Sequence, residues 1–195
     1  MVMAAKQTDG HHPMTARYLD QEKVRKALDS AQSFGASYAE VRVVALTEST
    51  VAMRDGALEK AIPGQELGMT LRVLADGAWG VHSTTDLASL NDQIESTTRL
   101  AKAVAQRRSP SERPKALAEV PVIEDETHWR SKLDVRHTEL DEKIRLMNEM
   151  HSGATGHEDI VSVRTGWSDE HIHTELMTTE GMDRVWSFQR SLIHG

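Results

Sequence analysis

Two Asp-Gly dipeptides, Asp55-Gly56 and Asp76-Gly77, each interrupt a stretch in which apolar and polar residues alternate. A two-residue type I′ turn needs positive φ at both central positions, and Asp followed by Gly tolerates that better than most pairs. Val41, Val43 and Ala45 alternate with Arg42 and Val44. A polar gap at 47–50 follows, and Val51 and Met53 lead into the first turn. Met69, Leu71, Val73 and Ala75 lead into the second, and Ala78, Trp79 and Val81 come back from it. Two-residue loops set Met53 opposite Leu58 and Leu74 opposite Trp79, the latter an aromatic–aliphatic cross-strand pair. Successive hairpins of this kind make an antiparallel meander, not a parallel sheet.

Helices flank the meander. Val24, Ala27, Leu28, Ala31 and Phe34 share one helical face, Asp20 caps its start and Gly35 supplies the stop. After the meander, Thr85 or Asp86 is the expected cap of a second helix carrying Leu87, Leu90, Ile94, Thr97, Ala101 and Val104. Arg107 and Arg108 close it, where they complement the helix dipole. Residues 1–19, with Asp9-Gly10-His11-His12-Pro13, read as a loose tail, and 20–108 as a first helix–meander–helix unit. Residues 109–137 read as a connector, holding Pro110, Pro114, Pro121 and the charge run Glu124-Asp125-Glu126. Within it, Pro121-Val122-Ile123 could form a short edge strand.

The remainder, 138–195, reads as a second helix–strand unit that is incomplete. A helix from Glu139 to Met150 precedes a strand at Val161–Trp167, another at His171–Met177, a Glu180-Gly181 turn and a closing strand at Val185–Phe188. The order echoes the first half: helix, Val-x-Val strand, return strand, acidic-Gly turn, with Arg54-Asp55-Gly56-Ala57 matching Thr179-Glu180-Gly181-Met182. The fold class expected is therefore α+β with a weak internal duplication. Because the chain stops at Gly195 without the final helix of the first half, we expect an amino-terminal portion of a larger protein.

Composition removes several functions. The 195 residues include 30 acidic and 23 basic side chains, a formal charge of −7. Phosphate backbones demand clustered Lys and Arg, so nucleic acid is not an expected partner. No apolar run approaches the roughly 18 residues of a membrane span, and no secretory signal is legible, so the expected setting is cytoplasmic with no membrane partner. There is no cysteine, which excludes disulfides, thiolate catalysis and Cys-based zinc sites.

Chemistry has few footholds. His157-Glu158 opens like a helical zinc-peptidase motif, but Val161 and Ser162 stand where the second His belongs. His171-Ile172-His173-Thr174-Glu175 is the better candidate. Strand positions two apart share a face, so two imidazoles and a carboxylate project together, a donor set suited to a metal. The same pattern also describes the polar, solvent-facing side of a half-buried strand whose other face is Ile172 and Leu176. His151 and His157 could add a ligand or could be plain helix-end and loop histidines. No Gly-x-Ser-x-Gly elbow or phosphate loop occurs. Trp79, Trp129, Trp167 and Trp186 suit packing as well as ligand stacking. No catalytic, cofactor-binding or metal residue is assigned on this basis.

Several runs resemble the amino-terminal region of the TldD/PmbA family of zinc metallopeptidases and DNA-gyrase modulators. They are Gly35-Ala36-Ser37-Tyr38-Ala39-Glu40-Val41-Arg42-Val43, Met53-Arg54-Asp55-Gly56-Ala57-Leu58-Glu59 and, most specifically, Gly68-Met69-Thr70-Leu71-Arg72-Val73-Leu74-Ala75-Asp76-Gly77-Ala78-Trp79-Gly80 with Ser83–Leu87. Leu117–Val122 and Thr178-Thr179-Glu180-Gly181 fit the same order, and the likeness spans roughly residues 20–190. The resemblance implies an amino-terminal α+β domain that pairs with a β-rich carboxy-terminal domain. It further implies a peptidase acting on unfolded or small peptides, as a homodimer or with a paralogue. This region would contribute dimer contacts and one wall of the peptide cleft. The family's zinc is held by His-Glu-x-x-x-His and a later Cys, neither of which maps onto a position here, so zinc is expected in the full-length member and not in this chain. The resemblance also allows a non-catalytic, PmbA-like binding partner that lacks the metal site.

Overall fold

The computed structural model describes residues 17–109, 111, 117–129 and 131–195. The His11-His12 pair, Pro110 and Pro114 lie outside the described residues. Helix α1 (Gln21–Ser33) starts at Asp20, whose carboxylate accepts the Lys23 amide at 3.0 Å, and ends before Gly35 at φ 90°. Strands β1 (Ala36–Arg54), β2 (Ala57–Ala75) and β3 (Ala78–Thr84) form the two Asp-Gly hairpins, and Asp55, Gly56, Asp76 and Gly77 all adopt positive φ. Met53 faces Leu58 and Leu74 faces Trp79, as turn geometry requires. Helix α2 (Leu90–Gln106) follows, then β4 (Glu124–His128), a 3-10 turn at Val135–His137, α3 (Leu140–Ala154), β5 (Arg164–Thr178) and β6 (Asp183–His194).

One six-stranded sheet holds them in the order β3-β2-β1-β5-β6-β4. The centre is the antiparallel pair β1–β5, in register from Glu40 opposite Thr178 to Arg54 opposite Arg164. The echo between the halves thus takes spatial form: α1–β1–β2 and α3–β5–β6 place their first strands side by side and their second strands outside them. The three described α-helices pack on one face. Val24, Ala27 and Leu28 of α1 and Leu90 and Ile94 of α2 meet Val41, Val43, Met69, Leu71, Val73 and Met177 in the larger core. Met147 of α3 meets Val51, Met53 and Trp167 in the smaller one. No described helix is long and apolar enough to cross a membrane.

Four expectations change. Helix α2 begins at Leu90 with Ser89 as cap, because Asp86 is engaged in the preceding turn, accepting the Ala88 amide at 2.8 Å. The polar gap at 47–50 does not break β1, since Thr47–Thr50 are paired on both sides, by β2 and β5. For the same reason Arg164–Thr178 is one strand; Val161 lies outside it, exposed, while Val163 is tied to Asp55. The short edge strand falls at Glu124–His128, in the charge run instead of Pro121–Ile123, and it pairs parallel with β6. Charged residues are at home on a sheet edge, and Asp125 meets Arg184 of β6 at 2.8 Å.

Two attachments hold the ends. Arg17 and Tyr18, expected within a loose tail, are bound: Arg17 pairs with Asp183 at 2.7 Å and the Tyr18 amide donates to Glu175 at 2.7 Å. At the opposite end the Asp55 carboxylate accepts the Val163 amide at 2.8 Å and the Ser162 hydroxyl at 3.1 Å. These bonds, the amide first, lower its pKa.

Close packing of α2 on β3 depends on Gly80. A Cβ there would lie inside the contact radius of the Thr97 carbonyl oxygen and 3.1 Å from the Ala101 amide, both backbone atoms of α2. Gly80→Ala is expected to cost about 1–3 kcal/mol in chemical denaturation through overpacking; a change below about 0.5 kcal/mol would contradict this packing.

Candidate functional site

Alternate residues of β5 face the helices, and they read Trp167, Asp169, His171, His173, Glu175, Met177. The two apolar ends enter the two cores, Trp167 beside Met147 and Met177 beside α1. Between them lies a buried polar row. The candidate face is therefore not the solvent side of a half-buried strand: His171, His173 and Glu175 are the buried set, and Ile172 and Leu176 are the partly exposed one. The physical reason is position in the sheet. A central strand whose inward face is roofed by α1, the 3-10 turn and α3 buries whatever that face carries, and these groups satisfy one another.

The row divides into two clusters. In the first, Lys143 of α3 meets Asp169 at 2.6 Å, both side chains being about 5% exposed or less. Lys143 also donates to the Ser49 hydroxyl at 2.6 Å, Ser49 donates to Asp169 at 3.0 Å, and the Trp167 indole N–H donates to the other Asp169 oxygen at 2.7 Å. Lys143, Ser49 and Asp169 are thus engaged with one another inside the core, so this group of residues is an anchor for α3. Sequence reading missed it. The signal was available: an Asp at even spacing between an inward Trp and an inward Met must itself point inward.

In the second cluster His173 and Glu175 meet at 3.1 Å, and Glu175 also receives the Tyr18 amide. The Tyr18 ring is tilted against His173 with centroids 5.6 Å apart, and the His128 ring is stacked with His173 at 6.5 Å. His128 bridges Ser187 and Glu126, at 2.6 Å each. Ser187 is buried and is His128's direct partner in the β4–β6 register, so this bridge clamps an edge strand to the sheet. The other His173 nitrogen, Nδ1, is buried without a hydrogen-bond partner among the described residues. His171 lies near Arg136 and Asp134; burial first, then the Arg136 charge, lowers its pKa. The Arg136 guanidinium in turn holds Asp134 down at about 2.

These residues do not form a zinc ligand set. His173 directs Nε2 at Glu175 and not with it toward a shared point, and among the described residues no group of three or more His, Asp or Glu is placed to hold a metal. His151 sits in the last turn of α3, beside Gly56, and His157 in the exposed loop beyond it near Asp159; neither joins His171 or His173. Trp79 stacks under Arg72 and against Tyr38, Trp186 lies under Arg184, and Trp129 is exposed.

Two measurements check the polar row. Lys143→Met strands a buried carboxylate and should cost about 3–5 kcal/mol in urea unfolding, part of which Lys143→Met with Asp169→Asn recovers; a neutral single variant would contradict the anchor. Because the folded pKa of His171 lies below its unfolded value, the unfolded chain takes up that proton first. Stability is therefore undiminished by this group above pH ~6.5 and falls as pH drops below it. His171→Gln should lose less stability than the wild type between pH 7 and pH 5, and an equal loss would contradict the burial of a neutral imidazole.

Comparison with known proteins places this arrangement. Residues 39–106, from β1 through α2, match the family model described as PmbA/TldA metallopeptidase domain 1. A metalloprotease of Methanocaldococcus jannaschii is 26% identical over 164 residues, which cover 84% of this chain and 35% of that protein. Among solved structures, a Thermotoga maritima protein described as a proposed modulator of a DNA gyrase superposes with TM-score 0.70 at 17% identity, over 88% of this chain and 38% of its own. TldE from Thermococcus kodakarensis superposes with TM-score 0.57 at 13% identity, over 87% and 38%. The chain thus spans little more than a third of the length of these relatives. The helix–meander–helix order and both Asp-Gly turns coincide with the stretch that is similar to the first domain of PmbA/TldA metallopeptidases.

Proposed function

We propose that the chain is the peptide-holding, amino-terminal region of a cytoplasmic TldD/PmbA-type metallopeptidase that acts on unfolded or small peptides. In the whole protein it would form one wall of the cleft and contribute contacts to a dimer. Metalloprotease relatives imply a metal for the family; the residues described here do not make its ligand set, so no chemical step is assigned to them.

The observation that carries this reading is the open edge of β2. Met69–Ala75 pair with β3, whereas Ala57–Gly68 pair only with β1 among the described residues. The hairpin therefore extends well beyond its neighbour, offering unpaired backbone donors and acceptors with Leu58 and Ile62 exposed alongside. An extended peptide can add to such an edge as a further strand, its main chain supplying affinity and pockets for alternate side chains modest selectivity. Pro63 has no N–H, and Lys60 and Glu66 are charged. They divide the edge into two short windows and guard it against indiscriminate sheet growth, which suits short unfolded segments.

Fluorescence anisotropy with a labelled, reduced and alkylated peptide tests this directly. Binding should weaken at least about tenfold when alternate peptide amides are N-methylated, and comparably in the Leu58→Lys, Ile62→Lys double variant. Absence of binding, or binding indifferent to both changes, would sink the proposal.

A further inference from the structure

Helix α3 has two flanks, and they meet different parts of the sheet. Met150 lies beside Gly195 at the end of β6, whereas His151 lies beside Gly56 in the first Asp-Gly turn. Residues three, four and seven apart share a helical flank, so Ile144, Asn148 and Ser152 follow His151 toward β2. A groove of about 620 Å³ runs along that flank, lined by these three with Asp141, Arg145 and Glu149. Across it lies the helix-facing side of β2: Leu58, Ala61 and Pro63, which stand opposite Met53, Val51 and Ser49. Leu58 and Pro63 are exposed and Ala61 is half-buried. Ala61 thus makes a notch between two larger apolar residues, at the level where Ile144 packs against the core that holds Val51. Charge on this side has one sign. Arg145 is engaged by Glu142 and Glu149, at 3.6 and 2.5 Å. Asp141 forms no ion pair among the described residues, and Leu58, Ala61, Pro63 and Gln65 bring no charge. Lys60 and Glu66 stand opposite Ala52 and Leu46 and so point to the far face of the sheet.

We infer that this notch is a subsite for one arginine or lysine side chain of a peptide added along the β2 edge; the inference rests on the strand addition proposed above. An added strand lies ~4.8 Å outside β2. Its alternate side chains point toward the helices, and the one beside Ala61 meets the notch. Ala61 leaves space that Leu58 and Pro63 do not, so that side chain can lean inward over β2. A short side chain ends above Ala61, whereas a long one reaches the α3 wall. Arginine and lysine lay their methylene stems on apolar surface and keep the charged end in water. Here the stem covers Ala61 and Ile144, and the charged end meets Asp141 and the half-buried Asn148 carboxamide. Glutamate at the same place meets a like charge, and alanine reaches neither stem contact nor charge. The groove thus gives peptide holding a side-chain preference that backbone pairing alone lacks.

The test is fluorescence anisotropy on the 195-residue chain, with short labelled Ala-Thr peptides that differ only at the central residue. Arginine there should bind about tenfold more tightly than glutamate, with alanine between them. The arginine preference should shrink as salt rises, because the charged end is exposed. Asp141→Lys should reverse the order of arginine and glutamate. Ala61→Leu, which fills the notch without changing charge, should bring the arginine and alanine peptides level. Circular dichroism confirms that both variants stay folded. Equal affinity for the three peptides, or an arginine preference unmoved by both variants, would overturn the subsite. If those peptides still bind and still weaken on N-methylation, the strand addition stands and only the subsite fails. If no peptide binds at all, both proposals fall together.

Discussion

Everything in the molecule depends on the pairing of β1 with β5. These are the two central strands, they remain in register over the whole of Arg164–Thr178, and each belongs to a different half of the sequence. Without that ladder the first meander would present an open edge along β1, and the α3–β5–β6 portion would be a hairpin with one helix, marginal on its own. Pairing also explains why polar stretches such as Thr47–Thr50 hold strand conformation. Backbone groups bonded on both sides leave the local sequence little say.

The ladder then decides what is buried. The inward face of β1 and β5 is apolar at both ends and polar in the middle, so the helices settle over the ends and the polar row closes between them. Lys143 reaches down from α3 to Asp169, Tyr18 comes in from the chain ahead of α1 to Glu175, and His128 comes across from the edge strand to Ser187. Each contact ties a peripheral element to the sheet centre by a group that would be costly to leave unpaired. The histidines that look most like a metal site in the sequence are therefore parts of this internal bracing.

Much of the fold was legible from residues alone. Both Asp-Gly turns, the register at Met53–Leu58 and Leu74–Trp79, the Asp20 cap and the echo between halves follow from turn chemistry and periodicity, which act locally. What was not legible depends on distant partners. The continuity of β1 and β5 across polar positions comes from pairing between residues more than a hundred apart. The strand at Glu124–His128 exists because β6 offers it an edge, not because Glu-Asp-Glu prefers extension. The inward orientation of His171, His173 and Glu175 is the plainest case: period two says that they share a face, and only the roof of helices says which face. The same count turns Asp169 inward, although it lies outside the His-rich run.

The similarity of residues 39–106 to a metallopeptidase first domain and the open β2 edge fit a region that works by holding other chains. All of this presupposes that the two halves form a single cooperative unit around the β1–β5 ladder. Native-state hydrogen exchange across increasing denaturant tests that presupposition most directly. Amides of Glu40–Arg54 and Arg164–Thr178 should be the slowest in the chain and should converge on one common opening free energy, that of global unfolding. If residues 138–195 opened at a distinctly lower free energy while 20–108 stayed protected, the halves would be separate units and the account built on their shared sheet would be wrong.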